Sequence, residues 1–458
     1  MNSNKIKFYN TLTREKEVFI PINPPNVGFY SCGPTVYNYP HIGNYRAYIF
    51  ADILKRVLLY EGYKVKHIMN ITDIDDKTIR DSQKEGKTLK EFTEFYTEEF
   101  FKDIKSLNIL EPTKFTKATD YIEEMVNIIK KLLDKGLAYK SEDGSVYFDI
   151  KKFKNYGKLS HLVLEEQKEN ASGRIKTDEY EKDNAQDFAL WKAWDEKDGD
   201  VFWDTILGKG RPGWHIECSA MSMKNLGEEI DLHTGGVDNI FPHHENEIAQ
   251  SEGATGKPFV KYWMHNEWVL VDNKKMAKSA GSFITLRDLT DKGINPIAYR
   301  FWLLMANYRT RINFVWEALL GAETALKRLY HLYIGLGSNI GNIHQEYLNK
   351  FKEYMGDDLN TPMALSLLWD VLKDENISNA DKKATILDFD KVLGLGFEQA
   401  EKTAKEEVIP AEILKLVDER EEARQNKDFK KSDELRDKIN SLGYEIKDSS
   451  EGYKINKI

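Results

Sequence analysis

Apolar residues recur along this chain at two spacings, and the alternation between them lays out its elements. From Phe29 to Tyr60 the run FYSCGPTVYNYPHIGNYRAYIFADILKRVLLY opens as a short strand ending near Ser31. It breaks at Cys32-Gly33-Pro34 and enters a helix at His41-Ile42-Gly43-Asn44, glycine and proline marking the break. Ile49, Ile53, Val57 and Tyr60 fall at helical spacing and give that helix one apolar face. Gly62 follows the last turn, where a left-handed cap is expected, and Lys64–Ile71 reads as a second strand. Strand, helix, strand in this order predicts an α/β fold on a parallel sheet.

Further on, Thr88–Leu107 and Thr119–Lys135 carry helical periodicity, the second closed by Gly136. Residues 138–150 alternate around Asp143-Gly144, a hairpin signal. Residues 151–200 are charge-rich and weakly periodic, and the α/β pattern resumes at Trp203, so 115–200 reads as an insertion between 1–114 and 201–265. A strand at 229–233, two short strands around Asn273 and a helix begun by Asn295-Pro296 follow, with 266–309 as a connecting region. Helical spacing over 315–336, 361–375 and 380–392 predicts a bundle within 310–397. Residues 398–410 read as a linker, and 411–458 as a small domain of two helices and a strand pair near Gly443-Tyr444.

At 458 residues the chain is too long for one core. Its 41% hydrophobic and 31% charged residues suit a soluble globular protein. No apolar run approaches the roughly 20 residues that span a bilayer, and MNSNKIKFYN lacks the apolar stretch of an export signal, which predicts a cytoplasmic protein. Two distant cysteines, Cys32 and Cys218, favour metal binding or chemistry over a structural disulfide. The net charge of −9 does not advertise a nucleic-acid binder. Residues 401–458 hold 13 Lys and Arg against 15 Asp and Glu, although Lys427, Lys430, Lys431, Arg436 and Lys438 could form a local basic face.

The candidate chemistry gathers in four places. The helix start at His41–Asn44 presents unpaired N–H groups and a positive dipole end, both suited to phosphate, with Gly43 permitting close approach; a plain capped turn is the simpler reading. Asn70–Lys77 is a polar cluster after a buried strand, where ligands gather in open α/β sheets, or else a helix cap with acidic first turn. In 211–265 lie His215, His233, His243, His244 and His265, five of the ten histidines, beside Cys218. His243 and Glu247 share a helix face, but His244 and Glu247 could too, and Cys32 is a suitable remote donor for zinc. Gly235-Gly236-Val237-Asp238 permits close ligand approach and offers a ribose acceptor. Finally, Lys275 and Lys278 on a loop of small residues could neutralise a triphosphate, or could simply be solvated.

His41-Ile42-Gly43-Asn44 and Lys275-Met276-Ala277-Lys278-Ser279 resemble the two signatures of the class I aminoacyl-tRNA synthetases. Cys32–Tyr37, Asn70–Lys77, Gly213–Ser219 and Phe241–Glu247 resemble the cysteinyl-tRNA synthetase family within that class, from about residue 28 to the C-terminus. The resemblance implies a Rossmann-like parallel-sheet catalytic domain split by an insertion, then an α-helical bundle and a small α+β domain that hold tRNA and read its anticodon. It implies one zinc per chain on Cys32, Cys218, His243 and Glu247, which settles the choice of histidine on family grounds. It places Cys32, Gly33, Thr72, Trp214 and His233 at the cysteine pocket, and His41, Gly43, Asn44, Gly235, Asp238 and Lys278 at ATP, which brings Mg²⁺. His41, Asn44, Lys275 and Lys278 fall on the catalytic positions. The implied reaction joins L-cysteine to its tRNA through an adenylate, in a monomeric enzyme.

Three features depart from the family pattern: Asn44 stands where the class has His, Ala277 where Ser is usual, and Gly281-Ser282-Phe283 where Gly-Asn-Phe is usual. A ligase joining cysteine to an amino sugar shares the catalytic domain and zinc but lacks a full anticodon-binding end. A tRNA-binding paralogue without activity would have lost ligands or lysines that are present here.

Overall fold

The computed structural model describes residues 5–161, 187–271, 273–275, 283–406, 410–449 and 452–457. They form two compact units, Met1–Leu395 and Gly396–Ile458. The strand that ends near Ser31 spans Asn26–Ser31 and is the middle member of a five-stranded parallel sheet. Across the sheet the order is Val260–Asn266, Ile230–Gly236, Asn26–Ser31, Lys64–Ile71, Lys114–Lys117. The chain starts in the centre, works to one edge, then returns to fill the other side. The direction reverses between Asn26–Ser31 and Ile230–Gly236, and in such doubly wound sheets ligands bind beyond the carboxyl ends of the strands at that point.

The helix Ile42–Tyr60 forms as its periodicity predicts, and the left-handed Gly62, with φ 88°, ends it. It is buried on more than one face, from Tyr45 and Tyr48 through Ile53 and Leu54 to Val57 and Leu58. Asp52 lies in the middle of that buried surface. Its Oδ2 accepts from Arg56 Nε at 2.8 Å and Arg300 Nη2 at 2.6 Å, and its Oδ1 from the Leu110 N–H at 2.8 Å. The arginines also donate to the last carbonyls of the helix Asn379–Leu393: Arg56 to Lys391 O at 2.9 Å and Arg300 to Leu393 O at 2.8 Å. A charged node thus ties the central helix to the end of the helical region.

The insertion is an antiparallel sheet ordered Ala138–Lys140, Val146–Phe148, Phe188–Ala193, Gly208–Pro212, Trp203–Thr205. Two boundaries move as a result. Lys114–Lys117 belongs to the central sheet, so residue 115 does not begin the insertion. Trp203–Thr205 and Gly208–Pro212 belong to the insertion sheet, so residue 200 does not end it. These strands are three to six residues long and carry Gly, Pro and Lys, so they show no period of their own; partners across the sheet define them. Trp191, Phe188, Phe148 and Leu132 of the insertion share one core with Tyr30 and Ile68 of the central sheet.

A clamp of charges joins the two sheets at their seam. Asp76 starts the helix Asp76–Lys84 and pairs with Arg211 and with Lys192 Nζ at 2.8 Å, while Arg211 Nε holds Asp198 at 2.8 Å. Burial works to raise the Asp76 pKa, but Arg211 and Lys192 draw it down to about 2. A depressed carboxylate contributes stability that is present above its unfolded value of about 3.9 and is lost as pH falls through the folded value. Asp76→Asn is therefore expected to be the less stable protein above about pH 4, with the difference shrinking toward pH 2. Urea unfolding of both proteins across a pH series measures it.

A three-stranded sheet of Lys274–Lys275, Val269–Val271 and Ile312–Phe314 carries the chain into the lysine loop. The helices Pro296–Leu304, Trp316–Ile334, Thr361–Lys373 and Asn379–Leu393 lie close to their expected spans. Gln345–Gly356 is an additional helix, whose buried stripe is only Phe351 and Met355. In the second unit Phe397–Glu406 is helical, where 398–410 had read as a linker. Its Glu, Gln, Ala and Lys are good helix formers, and Lys402 pairs with Glu398 one turn away at 3.0 Å. Helices Ala411–Gln425 and Phe429–Ser441 and the antiparallel pair Tyr444–Ser449 with Gly452–Lys457 complete that unit. Ile413, Val417, Leu435, Ile439 and Ile446 form its core. Among the described residues no helix is long and apolar enough to cross a membrane.

Candidate active site and metal centre

The loop after Asn26–Ser31 lies at the reversal point of the sheet. The Cys32 N–H donates to Thr234 O at 3.1 Å, which sets Cys32 beside the end of Ile230–Gly236. Gly33 follows because nothing larger fits: a Cβ there would lie 1.8 Å from Asn70 O, and its N–H donates to Asn70 Oδ1 at 2.7 Å. At the helix start, Asn44 Oδ1 accepts the His41 N–H at 3.0 Å. The Ile42 N–H donates to Ile284 O at 2.8 Å, and the His41 ring meets Phe283 edge-on at 5.5 Å. The first signature is thereby stitched to the segment that leaves the lysine loop. Lys275 is in a strand paired with Leu270, and Lys278 lies outside the described residues.

A cleft of about 420 Å³ opens over this point. Cys32, Gly33, His41, Gly43, Asn44, Thr72, Trp214, Cys218, Gly235, Asp238 and His243 all line it. Thirteen predicted site residues are described in three dimensions besides Lys275, and the two that do not line the cleft, His233 and Glu247, are fully buried beneath its wall. Lys77 and Trp268 line the cleft as well, and Trp268 Nε1–H donates to Asp238 Oδ1 at 3.2 Å. The two glycines of 235–236 are explained by this chain's own side chains. A Cβ at Gly235 would lie 2.8 Å from His244 Cε1 and from Asn239 Nδ2, and one at Gly236 would lie 2.5 Å from Asp238 Oδ1.

Cys32 Sγ, Cys218 Sγ, a nitrogen of His243 and an oxygen of Glu247 all lie within 4.8 Å of one another. His243 Nε2 is 3.1 Å from Glu247 Oε1, and the far nitrogen of His243 meets His215 Nδ1 at 2.9 Å. Trp214 stacks on the His243 ring at 4.2 Å. A second set drawn from the same neighbourhood, Cys32, His233, His244 and Glu247, meets the same spacing. The geometry thus keeps both histidines, His243 and His244, in play. Burial works to lower the His243 pKa, but Cys218 and Glu247 carry it up to about 10. Burial works to raise that of Glu247, but His233 and His243 bring it down to about 2. Sharing a hydrogen bond with Cys32 and burial together push the Cys218 thiol well up.

Sequence reasoning missed the partners behind this cluster. His244 Nδ1 meets His265 Nε2 at 2.7 Å, and His265 Nδ1 meets Thr11 Oγ1 at 2.7 Å. His265 was visible as part of the histidine-rich segment, and it lies opposite Gly235 on the neighbouring strand. Thr11 gave no local signal, being 254 residues away. Glu217 was also missed: it is fully buried, accepts from Thr72 Oγ1 at 3.0 Å, and burial holds its carboxyl well above the usual range.

Residues 18–324 match the family of class I (C) tRNA synthetase catalytic domains. Residues 350–398 match the DALR domain, and 407–453 the cysteinyl-tRNA ligase anticodon binding domain. The chain is 48% identical over 480 residues to a cysteine–tRNA ligase of Chlamydia muridarum, covering 98% of this chain and 99% of that one. It is 48% identical over 472 residues to a cysteine–tRNA ligase of Brachyspira hyodysenteriae, covering 98% of each. Its fold is similar to that of Mycobacterium tuberculosis methionyl-tRNA synthetase in complex with methionyl-adenylate. The TM-score is 0.55 at 14% identity, over 82% of this chain and 91% of that one. With matched domains in the order that its architecture follows, and relatives aligned almost end to end, the chain belongs to the cysteine–tRNA ligase family of class I aminoacyl-tRNA synthetases.

Proposed function

We propose that this chain is a cysteine–tRNA ligase that activates L-cysteine with ATP and passes the cysteinyl group to the 3′ end of its tRNA. The observation that carries this is the pairing of a thiol-compatible donor set with the first-signature helix start in one cleft. In the first step a carboxylate oxygen of cysteine attacks the α-phosphorus of ATP. The bond to the bridging oxygen breaks, and pyrophosphate leaves. In the second step a hydroxyl of the terminal ribose attacks the acyl carbon of the adenylate, and AMP leaves. No side-chain nucleophile is required, so the residues act by positioning and by balancing charge.

The N–H groups at the start of Ile42–Tyr60, with His41, Gly43 and Asn44, suit the phosphates. Asp238 and the backbone at Gly235 suit the ribose. Lys275 and Lys278 would offset the charge that develops on the leaving pyrophosphate, and Mg²⁺ would accompany ATP. Thr72 and Trp214 suit the amino-acid side, with His233 orienting Glu247 through a 3.0 Å hydrogen bond.

Cys32, Cys218, His243 and Glu247 fit a zinc ion. Two thiolates, an imidazole and a carboxylate are donors zinc takes. Glu247 Oε1 is buried without an aligned hydrogen bond, and the far nitrogen of His243 is already held by His215, as it is in ligating histidines. Cys32, Cys218 and His243 line the cleft whereas His233 and His244 do not, which favours this set over the deeper one. Bound there, zinc would take the substrate sulfur as a further ligand and distinguish it from a serine hydroxyl by softness.

By the same reading, 310–397 and 411–458 hold the tRNA, and the enzyme is a cytoplasmic monomer. Acceptor choice tests the proposal. Radiolabelled cysteine is expected to become acid-precipitable with the cysteine tRNA and to leave an amino sugar unmodified. Transfer to the amino sugar alone would overturn it.

A further inference from the structure

The second donor set is not an accident of crowding around the first, because it has supports of its own. Glu247 faces two ways: Oε1 is 3.1 Å from His243 Nε2, while Oε2 is 3.0 Å from His233 Nε2. Cys32 does likewise, sharing a hydrogen bond with Cys218 on one side and meeting His244 Nε2 at 3.2 Å on the other. If Nε2 of His244 presents its lone pair inward, Nδ1–H donates to His265 Nε2, and His265 Nδ1–H donates to Thr11 Oγ1. A chain ending on a hydroxyl accepts that tautomer without conflict, and a fixed outer nitrogen is what a ligating histidine needs. His233 is held between Trp263, stacked at 4.7 Å, and the edge of Tyr30 at 5.0 Å, and its Nδ1 is buried with no hydrogen-bond partner among the described residues. His233, His244 and Glu247 are all fully buried.

We propose that Cys32, His233, His244 and Glu247 form a second, deeper position for a divalent ion, alternative to the outer position on Cys32, Cys218, His243 and Glu247. This rests on the outer set being the metal centre. Because Cys32 and Glu247 serve both positions, they are alternatives for one ion. The donors differ in kind. The outer position has two thiolates and favours the softer ions, while the inner has one thiolate and two imidazoles and is less selective. The inner position also lies deeper, since Cys32 alone of its four donors lines the cleft. An ion there is retained but out of reach of a substrate thiol. Metal content and competence for cysteine are therefore separable properties of this chain.

Cobalt(II) titration of the metal-free full chain, followed by absorption, tests this, because each coordinated thiolate adds to the sulfur-to-cobalt charge-transfer band. The parent chain is expected to bind one cobalt with the intensity of two thiolates. Cys218→Ser removes an outer donor by an almost isosteric change and is expected to keep one cobalt with about half that intensity. Adding His244→Gln, which touches only the inner set, is expected to weaken cobalt binding by about 100-fold or more. His244→Gln alone is expected to keep the two-thiolate spectrum. A folded Cys218→Ser protein that binds no cobalt would overturn the inner position, as would a double variant that binds within about threefold of Cys218→Ser. Failure of the parent chain to bind cobalt would instead remove the outer centre on which the inference rests.

Discussion

Stripping the metal is expected to lower cysteine activation by at least about 10³-fold and to leave cysteine favoured over serine by no more than about 10². The second figure follows from what the rest of the pocket can read. Thr72 and Trp214 offer shape and one hydroxyl, and pockets that judge near-isosteric side chains by fit alone discriminate by roughly 10–200-fold. The first figure follows from loss of the ion proposed to orient the sulfur, which would hold the amino acid at the end opposite its reacting carboxylate. The fold is expected to survive. Glu247 lies 3.1 Å from His243 Nε2 and 3.0 Å from His233 Nε2, and the far nitrogen of His243 meets His215 Nδ1 at 2.9 Å. Each thus keeps polar partners from the protein itself, so neither is left buried and unpaired. Circular dichroism unchanged on chelation, with pyrophosphate exchange lost and restored by zinc, is the expected pattern. Discrimination that stays above about 10³ without metal would show that the protein reads the thiol by other means.

Asp52→Ala is expected to destabilise the first unit by about 3–5 kcal/mol, the usual cost of removing one partner from a buried ion pair. It removes the acceptor of Arg300 Nη2 and Arg56 Nε and of the Leu110 N–H, all at 2.6–2.8 Å, and Arg300 is fully buried. Two guanidinium groups then share a site with no carboxylate of that node. Both keep backbone acceptors, Arg300 on Leu393 and Arg56 on Lys391, which limits the loss without neutralising the charges. For a unit of this size the change corresponds to a melting shift of roughly 5 °C. A variant that melts within about 1 °C of the parent would mean that the arginines find water or another anion. The node also bears on function, since it joins the helix that begins at the first signature to the end of Asn379–Leu393.

Much of this architecture was legible because its signals are local. Ile49, Ile53, Val57 and the left-handed Gly62 mark the central helix without help from the rest of the chain. Cys32 follows its strand and a histidine lies one turn from Glu247, so candidate metal donors stood out by position, but spacing left His243 and His244 open and only the family resemblance chose between them. Asp52 could have been noticed as a lone acid inside an apolar run, but its partners at 110 and 300 could not. The insertion sheet was hidden because Phe188–Ala193 and Gly208–Pro212 are defined by pairing with each other. Residues 398–410 read as a linker, although Phe397–Glu406 is helical, because a helix without a broad apolar face looks like a spacer. Gly235-Gly236 reads as room for a ligand, and the folded chain adds a second reason for glycine there, since a Cβ would also meet His244 and Asn239 or Asp238. The chain Thr11–His265–His244 depends on contacts across 254 residues and could only be seen folded.

The most direct test of the central claim is amino-acid-dependent exchange of pyrophosphate into ATP by the metal-loaded chain, with cysteine and serine compared and zinc measured on the same sample. The account predicts rapid exchange with cysteine, exchange with serine lower by more than about 10³-fold, and one zinc per chain. A folded, zinc-loaded sample that exchanges with neither amino acid, or with both alike, would contradict it.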